Sequence, residues 1–189
     1  PLVSLVMNFT KPTETTPSLL TFDEFTTFLH EFGHGLHGIL AQGKYESLNG
    51  TSVKRDFVEL PSQIMENWAY EKEYLDLWAK HYQTGESMPA ELVEKIVAAK
   101  NYLAAYFNVR QLSFGMTDMA YHTITSPIKG DIMAFELKAL EPTKVMPVVD
   151  GMALSPAFTH VFSGGYATGY YGYKWAEVLA ADAFSYFKQ

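Results

Sequence analysis

Two histidines and an acid stand together in the run His30-Glu31-Phe32-Gly33-His34. On a helix, residues four apart share one face, so both imidazoles can reach a single ion. Glu31 sits beside them and can hold a water that the ion polarises. Zinc lowers the pKa of such a water toward neutrality, and a carboxylate then takes its proton as the water attacks a carbonyl. The chemistry indicated is metal-assisted hydrolysis. Gly33, Gly35 and Gly38 crowd the same stretch, and each costs ~1 kcal/mol relative to alanine inside a helix. Close approach of another backbone or of a ligand is therefore expected there.

Two histidines and a water leave zinc in need of a third protein ligand. His37 is near in sequence but lies a turn too far along to share a tetrahedral ion with the other two. It is expected to support a metal ligand from behind, to face the substrate, or to be a satisfied core histidine. The downstream acids are Glu59, Glu66, Glu71 and Glu73. Glu59 sits at the start of a helix, where a carboxylate also suits the helix dipole, so chemistry alone leaves the choice among them open. Gln63 and Glu66 follow on the same face and suit the histidine nitrogens that do not touch metal.

A second chemistry-bearing block is Gly164-Gly165-Tyr166-Ala167-Thr168-Gly169-Tyr170-Tyr171-Gly172-Tyr173. On a helix Tyr166, Tyr170 and Tyr173 would share a face, with Tyr171 turned away. A phenol there, or His160 just before, can donate a hydrogen bond to the oxyanion that forms when water adds to a carbonyl. Aromatics at helical spacing more commonly build core. The glycines favour the functional reading, because Gly164 and Gly165 would let the chain fit closely around a substrate.

These residues need elements to hold them. Phe22, Phe25, Phe28, Leu29, Phe32 and Leu36 recur at helical spacing, and Thr21 with Glu24 has capping-box spacing, so a helix is expected over 22–40. Residues 2–9 are apolar and β-rich and read as one strand, and 41–55 as a connecting loop. A second helix is expected from Asp56 to Tyr82, broken near Tyr70, with Pro61 tolerated in its first turn. A long helix over 89–116 follows, then shorter ones over 117–125 and 129–140. Pro142, Pro147 and Gly151 mark an irregular segment, and 170–188 closes as helix. The fold class expected is mainly α, with a short β element at the N-terminus.

Composition sets outer bounds. Of 189 residues, 48% are hydrophobic and 19% charged, which is ordinary globular usage. A net charge of −7 argues against nucleic acid or an anionic membrane surface as partner. No apolar run is long enough to span a bilayer. Cysteine is absent, so any metal must be held by nitrogen and oxygen. The opening PLVSLVMNF carries no basic leader, and a cytoplasmic or organellar interior is expected. Starting on Pro1 and stopping at Gln189 inside a helical pattern, the chain is expected to be a piece of a longer one, with 1–189 forming a single catalytic region.

Three ordered blocks resemble the thimet oligopeptidase (M3) family of zinc peptidases: HEFGHGLHGIL at 30–40, DFVELPSQIMENW at 56–68 and HVFSGGYATGYYGYKWAEVLAADAFSYF at 160–187. The resemblance spans nearly the whole chain, and the third block is most similar to the oligopeptidase A branch. It implies a zincin-type catalytic region binding one Zn(2+) per chain through His30, His34 and a glutamate 28 positions after the catalytic Glu31, here Glu59. It further implies that His160 and Tyr173 stabilise the transition state, with Tyr166 and Tyr170 as further substrate contacts. This block has one more residue between His160 and the Tyr170-Tyr171 pair than the thimet branch has, which leaves open which phenol is the main donor. The activity implied is hydrolysis of internal bonds in short peptides. The alternatives are release of C-terminal dipeptides, or a non-catalytic segment that keeps the metal site. The remaining partner implied is the rest of its own longer chain, which would supply part of the substrate channel.

Overall fold

The structure, a computed structural model, describes residues 2–189. Its chain divides into two compact units. One comprises the residues up to Asn101 together with Trp175–Gln189, and the other is Tyr102–Lys174.

In the first unit the leading element is helix α1, Phe22–Leu40, with the bounds that the sequence pattern sets. Its start is a complete capping box. Thr21 Oγ1 accepts from the Glu24 amide at 3.2 Å, and Glu24 Oε2 accepts from the Thr21 amide at 2.7 Å. The second Glu24 oxygen accepts from the Thr10 hydroxyl at 2.7 Å, which ties the polar loop to the helix start. The expected second helix is divided into α2 (Arg55–Val58), α3 (Leu60–Glu66), a 3-10 turn (Asn67–Tyr70) and α4 (Lys72–Trp78). The break near Tyr70 is as expected. The additional break at Glu59 precedes Pro61, which has no N–H to continue a ladder from α2. Helix α5 is Ala90–Ala99. Phe25, Leu29, Ala69, Leu75 and Val93 form the core, with Phe22, Met65, Tyr70 and Tyr74 packed around it. Trp68 meets Phe184 edge-on at 5.1 Å.

The N-terminal strand is not found. Residues 2–9 form no helix or strand, among the described residues no segment pairs with them, and the isolated bridge between Lys80 and Ser87 lies elsewhere. A strand needs a ladder partner, and a favourable composition does not supply one. The period of two survives as packing: Leu5, Met7 and Phe9 are half-buried, while Val6 and Asn8 are exposed. A Cβ on Gly35 would stand 3.2 Å from Leu5 Cδ2, and one on Gly38 3.3 Å from Val3 Cγ2. Two of the three glycines of α1 therefore serve to seat this N-terminal segment.

The second unit contains α6 (Ala104–His122), α7 (Ile132–Leu140), α8 (Thr159–Phe162) and the first turn of α9 (Gly172–Phe187), whose remainder belongs to the first unit. The single helix expected over 89–116 is interrupted at 100–103, where Leu103 takes φ 54°. The helix expected over 117–125 is instead the continuation of α6. Asp131 caps α7, its Oδ1 accepting from the Met133 amide at 2.9 Å. Phe158, Val161 and Tyr170 form this unit's core, against Phe114, Leu154, Tyr166 and Tyr173. Among the described residues no helix is long and apolar enough to cross a membrane.

Candidate metal centre and aromatic block

The metal-type centre is created by a helix crossing. A Cβ on Gly33 would lie 2.5 Å from the Pro61 carbonyl oxygen and 2.6 Å from Ser62 Cα, so α3 rests directly on the backbone of α1 at this point. Only a residue without a side chain allows that distance. Glu59, immediately before α3, is thereby carried to His30 and His34. Its Oε2 lies 3.2 Å from His30 Nε2 and 3.3 Å from His34 Nε2. The three donor atoms all lie within 4.8 Å of one another. Glu59 is 1% exposed, and the buried Ser62 hydroxyl lies 3.1 Å from the same Oε2.

The surroundings of His30 fix its tautomer. Nδ1 donates to Glu66 Oε1 at 2.6 Å, which leaves the Nε2 lone pair facing the Glu59 oxygen. Two electron-rich atoms facing each other in a buried place require a positive charge between them. Without an ion a second proton fills that need. Burial opposes a charged imidazole here, but the hydrogen bonds to Glu59 and Glu66 outweigh it and raise the His30 pKa from 6.5 to about 9. Two imidazole nitrogens and a carboxylate are a donor set that suits zinc, so the residues present fit the ion. His34 Nδ1 is buried with no hydrogen-bond partner among the described residues. Its ring is set instead by edge contact with His30, centroid to centroid 5.0 Å.

Glu31 follows His30 on α1 and is half-buried. His37 lies outside the cluster, with its ring 6.4 Å from Phe57, and burial followed by the charge of His34 lowers its pKa. Gln63, half-buried, is on α3 a turn before Glu66. Ser62 escaped the sequence reading. Its signal was the serine three residues after Glu59.

In the second unit the aromatic residues gather, though not on one helix. Residues 166–171 form successive turns, and α9 begins at Gly172. The His160 ring lies 6.0 Å from Tyr166, 5.9 Å from Tyr170 and 6.3 Å from Tyr173. Tyr166 and Tyr173 stack at 5.4 Å. His160 is exposed, Tyr166 and Tyr173 are half-buried, and Tyr171 is turned out to solvent. Tyr170 is 8% exposed, wedged against Phe114 and Phe158, so its ring is core as well as neighbour to the cluster. Gly165 adopts φ 81°, and a Cβ on Gly164 would meet the His160 carbonyl at 2.9 Å, so the turn folds back on His160 itself. Two buried acids unnoticed in the sequence, Asp118 and Glu136, bond to the backbone of this segment. Asp118 was detectable only as the lone charged residue of the stretch 112–121.

A helical unit with a His-Glu-x-x-His helix crossed by a second helix, with Glu59 at the start of that helix, brings together a donor set that could hold a metal ion. The chain belongs to peptidase family M3, which it matches over residues 1–189. It is 47% identical over 193 residues to oligopeptidase A of Salmonella typhimurium, all of this chain aligning with 28% of that protein. It is 43% identical to the organellar oligopeptidase A (chloroplastic/mitochondrial) of Arabidopsis thaliana, all of it aligning with 24% of that protein. To the dipeptidyl carboxypeptidase of Escherichia coli it is 40% identical, with 99% of this chain and 28% of the relative aligned. The chain thus spans about a quarter of the length of these relatives.

Proposed function

We propose that this chain is the catalytic region of a zinc-dependent oligopeptidase that hydrolyses internal bonds of short peptides, working as part of a longer chain. The observation that carries the reading is the convergence of His30, His34 and the buried Glu59 within 4.8 Å. These residues would hold one zinc ion per chain. When bound, the ion acts as a Lewis acid toward water and the scissile carbonyl. The Glu31 carboxylate takes a proton from the attacking water and passes it to the peptide nitrogen as the C–N bond breaks, giving a carboxylic acid and an amine. His160 and Tyr173 donate hydrogen bonds to the developing oxyanion. Tyr166, Tyr170, Gly164 and Gly165 shape the surface on which the peptide lies. Names of relatives that include an organellar and a probable cytosolic oligopeptidase A support a cytoplasmic or organellar location.

A second reading, release of C-terminal dipeptides, is favoured by the 40% identity to dipeptidyl carboxypeptidase. Product analysis on peptides with free and with amidated C-termini separates the two. The test of the main reading is Glu31→Gln in the full-length chain, with metal content and hydrolysis of a quenched peptide measured together. One zinc per chain should remain, while turnover falls about 10³-fold. Undiminished turnover would remove Glu31 from the chemistry.

A further inference from the structure

Asp118 lies on α6 and is 1% exposed. A carboxylate taken out of water costs several kcal/mol unless its oxygens are satisfied. Oδ1 accepts from the Thr168 amide at 2.9 Å and Oδ2 from the Tyr170 amide at 3.0 Å, while His122 Nδ1, bonded to the Asp118 carbonyl, lies 2.8 Å from Oδ1. Fifty residues of chain separate the acid from the turn it holds. That turn is strained: Thr168 takes φ 57°, a left-handed conformation costing ~1–2 kcal/mol for a residue with a side chain. Charge-assisted bonds to both flanking amides offset that cost and fix the turn. A second buried acid, Glu136 on α7, acts on the same segment upstream of His160. Its oxygens accept from the amides of Leu154 and Ser155 and, at 3.1 Å, from the Tyr121 hydroxyl.

We propose that Asp118 is a positioning residue for peptide hydrolysis: by clamping the amides of Thr168 and Tyr170 it sets the place of Tyr173 relative to His160. This rests on the reading of His160 and Tyr173 as oxyanion donors. The clamp grips the turn between Tyr166 and Tyr173, whose rings stack on each other, and the Tyr170 ring meets Tyr173 at 4.9 Å. A shift of that turn moves the Tyr173 phenol, and a displacement of about 1 Å at a reacting group costs on the order of 10²-fold in rate.

Asp118→Asn keeps the volume but turns one acceptor oxygen into an N–H donor facing an amide. In the full-length zinc enzyme it should lower kcat about 10–100-fold with KM changed less than about threefold and zinc content intact. A double-mutant cycle with Tyr173→Phe supplies the decisive readout. Because Asp118 acts through Tyr173, D118N should cost less than about threefold in the Tyr173→Phe background. An undiminished loss there, or no loss in the parent, overturns the proposal while leaving the role of Tyr173 in place. Full activity in both Tyr173→Phe and His160→Ala would overturn that role and the proposal with it. Should D118N not fold, hydrogen exchange on the parent protein decides. The Thr168 and Tyr170 amides should be protected about 100-fold or more, and exchange at open-loop rates overturns the clamp.

Discussion

In the first unit the chemistry-bearing side chains stand on or beside helices, and their spacing follows from how two backbones meet at Gly33. In the second, His160 on the single-turn helix α8 and Tyr173 in the first turn of α9 flank a run of turns, and buried carboxylates bonded to main-chain amides fasten the chain around them. The first arrangement is steric and tolerates no added volume. The second is electrostatic and depends on ionised acids. A helical site is accurate because its frame is regular, whereas a loop site must be fastened at chosen points.

The comparison is broken most severely at the proposed metal ligands. His34→Ala should lose zinc, with hydrolysis falling to background, while His37→Ala and His160→Ala keep it, as metal analysis of the purified variants would show. Zinc retained by His34→Ala would refute the centre. A smaller effect tests the steric half. Gly33→Ala should destabilise by about 1–3 kcal/mol, whereas Gly115→Ala on α6, where nothing lies within 4 Å of the new Cβ, should gain ~0.5–1 kcal/mol. Denaturant unfolding of both measures the difference, and equal responses would contradict a close crossing.

The smallest effect tests the electrostatic half. Burial would raise the pKa of Glu136, but bonds from Leu154, Ser155 and Tyr121 hold it below 4.5. A depressed folded value adds stability above the unfolded pKa, and that stability is lost as pH falls through the folded value. Glu136→Gln should therefore cost about 1 kcal/mol near neutrality, and the gap to the parent should close below pH 4.5. A gap independent of pH would mean that the charge of Glu136 is not what holds the segment.

What the sequence made legible is what lies close along the chain. The face shared by His30 and His34 is an i, i+4 relation, and α1 begins at its own capping box. Glu66 followed from helical spacing and does bond His30. Glu59 could not be chosen by chemistry alone, because a crossing helix brings it to the site, and the family resemblance made the choice. The break at 100–103 carries no glycine or proline, and Leu103 takes a left-handed conformation that its residue type disfavours. Composition suggested a strand over 2–9, but pairing depends on a second segment. The clamp by Asp118 is a contact between distant residues and leaves no local pattern.

The crossing at Gly33 also constrains descent. Every single-base change of a glycine codon that alters the residue adds at least a Cβ, and here that atom would sit 2.5 Å from the Pro61 oxygen. The position has no gradual exit. A lineage can repack the apolar partners of α1 one step at a time, but at residue 33 it has to move a second helix in the same step.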